Sequence, residues 1–483
     1  LHSYPTHMTS AKEKRDKLRA AHWFSGNIYT DQKIAANTAS EELLNHMYAV
    51  NQPVRKHPYR HLPQVELFML NMLMAYHFTG GVLSISKSAN EYSDGIMSYR
   101  VTTDLIIDSL IKSGWLIEHR GFYGGLKGFN SRVEATSKFI DWLDASDLGI
   151  PKTKVNKPSK PIVLKDKNKK VIKIPEHLEQ EVERMAAKVS SFNTELEKTH
   201  IDLAISNDEL YQLNSQMRRT AIQDATRESY LFLAKKYLQR KFNNGSLKDG
   251  GRFYNAWWIT VPKEWRKYIT INGCPTTELD YTGMHVQLLF AEKGIEIDGD
   301  PYAIEGVDDQ FRSVTKLIFM IIFNAPSRKS ALKAITTNSK IKESRDGKFP
   351  KGIKDFDGYL SLIEREYAPI SKYFFSGYGV KLQAFDSAII ENVMLMMLKN
   401  HNALTLPIHD SLIVEAKYAQ QLKECMIEEF KLFSGGHCDV KQKAVAVYDS
   451  KRLESLVDGY AIRGFNAGVA YDPIESLKTY VQE

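Results

Sequence analysis

The chain has 483 residues, of which 43% are hydrophobic and 25% charged, a composition typical of a globular protein with room for two or three domains. No apolar run approaches the ~18 residues of a membrane span, and the first residues lack a signal-peptide core, so we expect a cytoplasmic protein with no membrane partner. The 3 cysteines are far apart, which argues against a disulfide framework and predicts reduced thiols without structural zinc.

The formal net charge of +7 is concentrated in one segment. Residues 151–175 contain nine lysines and one aspartate, so the rest of the chain sums to about −1. Short apolar runs at 162–164 and 171–174 flank the lysine-rich residues 165–170, which predicts a small basic hairpin, with a solvated linker as the alternative. A basic segment of this kind favours a nucleic-acid partner more than the overall charge does.

Residues 1–150 begin with short helical patterns, such as 39–48, and continue with a single series of predicted helices and strands. A buried helix rich in methionine, an amphipathic helix, a basic glycine-rich wing between two strands, and a closing helix are predicted over residues 65–78, 98–113, 115–135 and 138–143. A short segment at 84–93 lies between the first two helices. The pattern predicts a winged helix-turn-helix unit.

This unit resembles the DNA-binding domains of plasmid replication initiators. Tyr99 and Arg100 at the start of the amphipathic helix, and Arg132 on the wing, are therefore expected to contact phosphates or base edges, together with Arg120 and Lys127. Winged helices also serve as protein-docking modules, which is the alternative. The unit lacks a pair of acidic residues of the kind that would hold metal ions in a proofreading exonuclease, so we expect no such activity here.

Residues 176–216 place apolar side chains at helical spacing, which predicts helices. A coiled partner-binding arm is one possible use of them, but its heptads are not sustained. Six basic residues that follow are expected on helical faces against backbone phosphates: Arg218, Arg219, Lys235, Lys236, Arg240 and Lys241. Trp257 and Trp258 either stack on bases or, as aromatic clusters more often do, pack in the core.

Residues 276–290 place one carboxylate at a junction between two elements. Residues 278–281 predict a short buried strand, and apolar residues from Met284 open a helix after Gly283. Asp280 then lies where two rigid elements meet at a cleft, a position from which carboxylates present a hard cation to a phosphate. A capping or turn aspartate is the alternative.

Residues 311–325 predict a helix on which Arg312, Lys316, Met320 and Asn324 form one stripe. Such a stripe suits the triphosphate and base of a nucleotide, with the two cations on the phosphates. The alternative is a buried helix whose cations merely extend outwards. Residues 327–351 are polar and basic, which predicts a mobile segment in which Arg328 and Lys329 contact phosphates.

Two apolar runs at 404–408 and 412–414 flank His409, Asp410 and Ser411, which predicts a hairpin with Asp410 at its turn. Two carboxylates such as Asp280 and Asp410 can hold a pair of divalent ions about 3.5–4 Å apart. That arrangement activates a 3′-hydroxyl and stabilises the leaving pyrophosphate.

Residues 280–285, Arg312 with Lys316, and residues 409–411 resemble motifs A, B and C of the superfamily containing family A DNA polymerases and single-subunit phage-type RNA polymerases. Residues 250–253, reading GGRF, resemble the glycine-arginine element that touches the primer-template minor groove, and residues 383–387, reading QAFDS, resemble the glutamine helix. The likeness spans about residues 231–447.

The resemblance implies an α+β, right-hand polymerase with palm, fingers and thumb behind the winged unit. The expected domains are 1–150 (helical and winged helix-turn-helix), 151–175 (basic linker or hairpin), 176–245 (thumb-like helices), 246–450 (palm and fingers, fingers about 300–380) and 451–483 (peripheral). Its expected partners are primer-template DNA and nucleoside triphosphates, and its cofactor is Mg²⁺, two ions, with Mn²⁺ as a substitute.

The resemblance also implies the role of each site residue. Asp280 and Asp410 carry the ions with Tyr281, and Lys316 donates a proton to the pyrophosphate. The nucleotide-binding residues are Arg312, Lys316, Met320, Asn324 and His285. The residues on the nucleic acid are Arg252, Gln383 and His409.

Three departures from the family pattern bear on the substrate. His285 stands where the DNA polymerases have a glutamate that blocks a ribose 2′-hydroxyl, which favours DNA synthesis. Asn324-Ala325 replaces Tyr-Gly, and Ser411 resembles the RNA polymerase form of motif C. An RNA-synthesising primase or single-subunit RNA polymerase is therefore the alternative, and an inactive replication-initiator DNA-binding protein is a further one. The intact pair Asp280 and Asp410 argues against an inactive protein.

Overall fold

The helices and strands of this chain form a mixed α+β protein, which confirms the predicted class. The structure is a computed structural model that describes residues 11–23, 28–30, 32–53, 56–86, 92, 97–124, 127–146, 148, 153–224, 228–297, 299–449, 452–456 and 477. Most of the predicted peripheral segment 451–483, and most of segment 84–93, lie outside the described residues. No described helix is long and apolar enough to cross a bilayer.

The N-terminal part alternates helices with short strands. Its elements are α1 (Ala11–Arg19), β1 (His22–Trp23), β2 (Ile28–Thr30), α2 (Lys33–Val50), α3 (Pro58–Thr79), β3 (Val82–Ile85), a π-helical segment (Val101–Ile107), α4 (Asp108–Lys112), β4 (Leu116–His119), β5 (Phe122–Gly124), β6 (Lys127–Phe129), β7 (Ser131–Ala135) and α5 (Ser137–Ala145). Four of the strands form a sheet in the order β1-β3-β7-β4.

Helix α3 organises the N-terminal core. It begins with Pro58 at a position where the missing N–H is not needed, and it ends at Gly80, whose φ of 69° glycine tolerates. Its methionines, among them Met69 and Met72, are fully buried, so the predicted core role of the apolar stretch is confirmed.

The two strands predicted on either side of the wing pair with each other. β4 and β7 are antiparallel, with Leu116 opposite Ala135, and β3 and β1 extend them into the larger sheet. The amphipathic helix before them is π-helical in its first half. There the hydroxyls of Thr102 and Thr103 donate to the carbonyls of Ser98 and Tyr99, both at 2.8 Å, and such back-bonding loosens a helix.

Arg132 corrects one prediction, because it is not on a surface. The side chain is only 3% exposed, and its Nε donates to the carbonyl of Leu18 at 2.9 Å. Burial lowers the pKa of Arg132 to about 10. The prediction that Arg132 reaches nucleic acid is therefore wrong, whereas Arg100 is exposed and Tyr99 half-buried.

The second part of the chain builds the remaining sheets. Its elements are β8 (Thr153–Val155), β9 (Ile162–Leu164), α6 (Glu179–Lys198), β10 (Ile201–Leu203), α7 (Asn207–Gln223), β11 (Gln239–Asn243), β12 (Ser246–Tyr254), β13 (Ile269–Ile271), β14 (Cys274–Tyr281), α8 (Met284–Ala291), α9 (Arg312–Asn324), α10 (Arg328–Thr337), α11 (Ser339–Arg345), α12 (Phe356–Glu366), α13 (Gly379–His401), β15 (Leu406–Ile408), β16 (Ser411–Glu415), α14 (Ala419–Ser434) and β17 (Val440–Gln442).

A six-stranded sheet lies at the centre of this part. Its order is β10-β13-β14-β16-β15, and β17 also pairs with β14. One face is covered by α14, on which Leu422, Cys425, Met426 and Phe430 are buried. The predicted strand, helix and hairpin around Asp280 and Asp410 are all confirmed at the level of secondary structure.

The stretch predicted as thumb-like helices contains a strand. Helices α6 and α7 lie in this stretch, but between them β10 pairs with β13 and joins the six-stranded sheet, so Ile201 and Leu203 belong to a strand. Helix α7 restarts with a capping box in which Ser206 and Glu209 satisfy each other's backbone N–H groups. Arg240 and Lys241 lie on strand β11, not on a helical face.

The predicted basic hairpin is confirmed. Lys165 pairs with Val171, and the first arm is β9. That arm runs parallel to β11, which pairs in turn with β12, so the hairpin belongs to a three-stranded sheet.

Helices α9 to α12 pack on each other around a separate apolar core that includes Ile318, Ile322 and Tyr359. The polar stretch predicted to be mobile consists largely of α10 and α11. Arg328 within it is bound by Asp357 and by Glu364, the latter at 3.0 Å, so its guanidinium is already paired.

Candidate functional site

Asp280 and Asp410 lie at the same end of the six-stranded sheet. Asp280 is the penultimate residue of β14 and stands opposite Ser411, the first residue of β16. Directly opposed residues of antiparallel strands have Cα atoms about 4.5–5.5 Å apart, and Asp410 immediately precedes Ser411. The strand register therefore brings the two predicted metal-binding carboxylates together.

The turn that carries Asp410 is tight and strained. Ile408 pairs with Ser411, so His409 and Asp410 form the whole two-residue turn, and His409 has φ of 58°. A left-handed conformation costs a non-glycine residue roughly 1–2 kcal/mol, and the favoured two-residue hairpin turns require it at their first residue. The hydroxyl of Ser411 supports the turn by contacts with the carbonyl of Ile408 at 3.0 Å and the carboxylate of Glu278 at 2.8 Å.

The electrostatics at Asp280 are unusual for a carboxylate near the protein surface. Burial and the adjacent charge of Asp410 raise the pKa of Asp280 to about 6, although Lys443 and Lys316 oppose this. A raised pKa means that the ionised pair carries negative charge that its surroundings do not fully compensate. A divalent cation would relieve that repulsion.

Glu278 is a site residue that sequence analysis missed. Side chains two apart on a strand share a face, so Glu278 and Asp280 lie on the same side of β14. Glu278 is bound by Lys443 and lies 3.5 Å from Arg266, and although burial would raise its pKa, the bond from Lys443 lowers it. Its charge is therefore neutralised within the protein. Strand periodicity alone would have identified it.

Tyr281 points to the opposite face of the sheet. Its hydroxyl donates to the carbonyl of Met426 at 2.6 Å beneath helix α14, and the side chain is 3% exposed. This limits Tyr281 to its backbone carbonyl as a ligand for an ion held by Asp280.

Helix α9 presents the predicted stripe. Lys316, Met320 and Asn324 are exposed, and Arg312 is half-exposed and bound to Asp300. The Arg312 guanidinium and the Lys316 ammonium lie 5.7 and 5.8 Å from the ring centre of Tyr302. The positive charge of Lys316 acts on Asp280, so this part of the stripe faces the carboxylates.

Asn324, the last residue of the stripe, makes contacts within the protein. The amide of Asn324 donates to the carbonyl of Met320 at 2.7 Å, and a Cβ on Gly379 would lie 2.2 Å from the Asn324 oxygen. Asn324 therefore packs against the start of α13.

Asp386 connects three predicted contacts. It is fully buried on α13, and it accepts hydrogen bonds from Arg252 at 3.0 Å and from His285 at 2.8 Å. Burial alone would raise the pKa of Asp386, but the hydrogen bond from His285 and the charge of Arg252 lower it. Gln383 lies one turn earlier on the same helix. Asp386 belongs to the predicted helix at residues 383–387, but no local sequence pattern reveals that Arg252 and His285 are its partners.

Close packing explains the two glycines before Arg252. Gly251 has φ of 85°, and a Cβ there would lie 2.5 Å from the Phe242 ring and 3.1 Å from the Ser387 hydroxyl. This absence of a side chain lets β12 approach α13 closely. Next to it, Arg240 is buried and pairs with Glu391 of α13 at 2.6 Å.

The surroundings of the turn complete the site. The ring of His409 lies edge-on to Tyr254 at 6.4 Å, and burial followed by the charge of Arg252 lowers the pKa of His409. The Nδ1 atom of His409 is buried without a hydrogen-bond partner in the described chain. Asp410 in turn contributes to raising the pKa of Arg252, which places Arg252 within range of the carboxylates.

The structure therefore gathers Asp280, Asp410, Lys316, Arg252 and His409 around one end of the sheet. Tyr99 and Arg100 belong to the N-terminal part, which has its own apolar core. Among the described residues, no group of three or more His, Cys, Asp or Glu side chains suits a metal ion. No protein-family model matches the chain, and a search of curated proteins finds no match.

Proposed function

We propose that the protein is a template-directed nucleotidyltransferase, a DNA-dependent DNA polymerase of the right-hand type that extends a 3′-hydroxyl. The observation that carries this proposal is the convergence of Asp280 and Asp410, distant in sequence, at the end of paired strands β14 and β16. In this proposal the six-stranded sheet is the palm, α9 to α12 the fingers, and α6 and α7 the thumb. The N-terminal part is then a winged-helix DNA-binding unit.

The residues present fit Mg²⁺, with Mn²⁺ as a substitute. Mg²⁺ prefers oxygen ligands and is usually held by one or two carboxylates plus substrate phosphates, so a third acidic ligand is not needed. Asp280, Asp410 and the backbone carbonyl of Tyr281 supply oxygens, and the raised pKa of Asp280 is the expected mark of a site awaiting positive charge. Bound in a pair, such ions lower the pKa of an attacking hydroxyl and stabilise charge on a leaving pyrophosphate.

The remaining side chains would position the substrates. Lys316 and Arg312 extend from α9 toward the phosphates of the nucleotide, and the charge of Lys316 acts on Asp280. In this proposal Lys316 supplies a proton to the departing pyrophosphate. Arg252, held by Asp386, faces the product base pair together with Gln383. Positioning of this kind is the main source of rate in phosphoryl transfer.

His285 supports the choice of deoxynucleotides. Its Nε2 lies 2.8 Å from a buried carboxylate oxygen of Asp386, so that hydrogen bond holds the ring in one orientation. A fixed imidazole occupies the space beside the sugar more reliably than a freely rotating side chain would. This favours exclusion of a 2′-hydroxyl.

A primer-extension experiment tests the proposal. Purified protein receives a primed DNA or RNA template, Mg²⁺ and either deoxy- or ribonucleotides, and an unprimed template tests initiation. We expect deoxynucleotide addition on primed DNA. Asp280→Asn and Asp410→Asn should each lower the rate at least about 100-fold. Asp346→Asn, at an 89% exposed position, should match the wild type.

Other results would replace the proposal. Ribonucleotide addition in preference to deoxynucleotides would establish the primase or RNA polymerase alternative. DNA binding without extension of any substrate, combined with full biological activity of Asp280→Asn and Asp410→Asn, would establish a non-catalytic initiator protein.

A further inference from the structure

The charged surface that the site leaves unexplained is the basic hairpin, residues 162–172. Its tip carries Lys165, Lys167, Lys169 and Lys170, of which the last three are exposed. Asp166 is its only acidic residue, and one oxygen of its carboxylate accepts the backbone N–H groups of Asn168 at 2.8 Å and Lys170 at 2.9 Å. The tip is thus a well-defined turn with excess positive charge.

The hairpin continues a sheet face that leads from the carboxylates. Val163 of β9, Lys241 of β11 and Arg252 of β12 stand opposite one another in the strand registers, so their side chains share one face. Neighbouring strands are about 4.8 Å apart, which places β9 about 10 Å from β12 across this face. The ammonium of Lys241 lies 5.4 Å from the ring centre of Tyr254, whose ring meets His409.

Positive charges crowd together along this face. Burial, followed by the charges of Lys165 and Lys235, lowers the pKa of Lys241 to about 8. The ammonium of Lys169 lies 3.5 Å from the side-chain oxygen of Asn243 on β11, so the tip folds toward the same strand. An anionic partner on this face would offset the repulsion between the cations.

Lys169 occupies a position where glycine is favoured. Its φ is 66°, and a lysine held there is strained relative to glycine or asparagine. Asparagine, which tolerates this conformation better, occurs one residue earlier at position 168, so the left-handed position itself carries a lysine. The turn therefore places the exposed Lys169 ammonium beside Asn243.

We infer that the basic hairpin binds the phosphate backbone of the nucleic-acid duplex that leaves the carboxylate pair, along the face formed by Arg252, Lys241 and Lys165. This inference rests on the proposed function, because it takes its ligand from the same site. Regularly spaced phosphates suit an array of lysines at a sheet edge, and contacts of this kind are independent of sequence and sensitive to salt.

Duplex binding without catalysis tests the inference. Fluorescence anisotropy measures binding of the full chain to a labelled primed DNA duplex over a range of NaCl concentrations, without nucleotides or divalent ions. The triple variant Lys167→Gln, Lys169→Gln, Lys170→Gln should bind at least about 10-fold more weakly, and its plot of log affinity against log salt should be shallower by about 2 to 3. The matched control changes three exposed lysines of α13 and α14 to glutamine: Lys399, Lys423 and Lys431. It should bind like the wild type.

A second variant separates charge from folding. Lys169→Gly relieves the left-handed backbone but increases the freedom of the unfolded chain, and because these effects oppose each other the melting temperature should change little. The variant removes one cation, so it should weaken duplex binding and lower the salt slope by about 1. Unchanged duplex binding by this variant would contradict the inference.

The outcomes distinguish this inference from the proposed function. If the wild type extends primers but the triple variant binds duplex normally, the hairpin inference fails and the function stands. If no nucleotide is added but the triple variant still loses duplex binding, the hairpin inference stands and the function fails. If the triple variant instead keeps duplex binding and loses binding to phosphatidylserine vesicles, the hairpin is a lipid-surface element and the inference is overturned.

Discussion

Replacing Asp280 by asparagine should stabilise the protein while abolishing its proposed activity. Burial and the neighbouring Asp410 raise the pKa of Asp280 from 3.8 to about 6, so the ionised side chain is less favourable in the folded chain than in the unfolded one. A pKa difference of this size corresponds to roughly 3 kcal/mol at pH values above 6. Asparagine has nearly the same shape and no charge, so Asp280→Asn should gain up to about 3 kcal/mol at pH 7.5.

The pH dependence of that gain follows from the direction of the pKa change. Between pH 3.8 and about 6 the folded chain binds a proton at Asp280 that the unfolded chain has lost, so wild-type stability falls as pH rises through this window. Above it the difference is constant. The advantage of Asp280→Asn should therefore be absent near pH 4 and complete above pH 6.5.

Thermal and urea unfolding at a series of pH values measure this difference, with Asp346→Asn as the exposed control. Adding Mg²⁺ at pH 7.5 should stabilise the wild type and not Asp280→Asn, because only the wild type keeps both carboxylates. An Asp280→Asn protein that is equally or less stable than the wild type at pH 7.5 would refute the reasoning.

Three further changes probe the site and its support. If Lys316 supplies a proton, Lys316→Ala should lower turnover in single-nucleotide kinetics about 100-fold or more. The control Lys333→Ala, on the neighbouring helix, should keep wild-type turnover. Near-wild-type turnover of Lys316→Ala would show that Lys316 does not supply the proton. Gly251→Ala should destabilise the protein by more than about 2 kcal/mol, since φ is 85° and a Cβ would lie 2.5 Å from an aromatic ring. Gly377→Ala, with φ of 68° and open space, should cost about 1 kcal/mol, and equal costs in urea unfolding would argue against the packing explanation. Asp386→Ala should destabilise by about 3–5 kcal/mol because it leaves a guanidinium without its buried partner, and a loss below 1 kcal/mol would show that this pair is not structural.

The sequence predicts the elements whose signals are local. Alternation around residues 278–281, the break at Gly283 and the polar turn at His409 and Asp410 each determine structure within a few residues, and these elements form as expected. The stripe on α9 is equally local. Because these elements occur together and in this order, the sequence predicts that Asp280 and Asp410 belong to one site.

What the sequence does not reveal depends on partners far along the chain. The strand at Ile201 and Leu203 forms because β13 offers an edge to pair with, and its three residues are too few for an alternating pattern to be recognised in the sequence. Arg132 and Arg240 look like surface cations, but the carbonyl of Leu18 and the carboxylate of Glu391 satisfy them in the interior. Pairings of this kind are decided by tertiary contacts, which no local pattern encodes.

The most direct test of the two-carboxylate site is a count of divalent ions bound by the protein. Mn²⁺ titration followed by electron paramagnetic resonance, with primed DNA and a non-hydrolysable deoxynucleotide present, measures that number. The wild type should bind two ions in this complex and Asp346→Asn likewise, whereas the double variant Asp280→Asn, Asp410→Asn should bind neither. A double variant that titrates like the wild type would contradict the assignment of Asp280 and Asp410 as the residues that hold the ions.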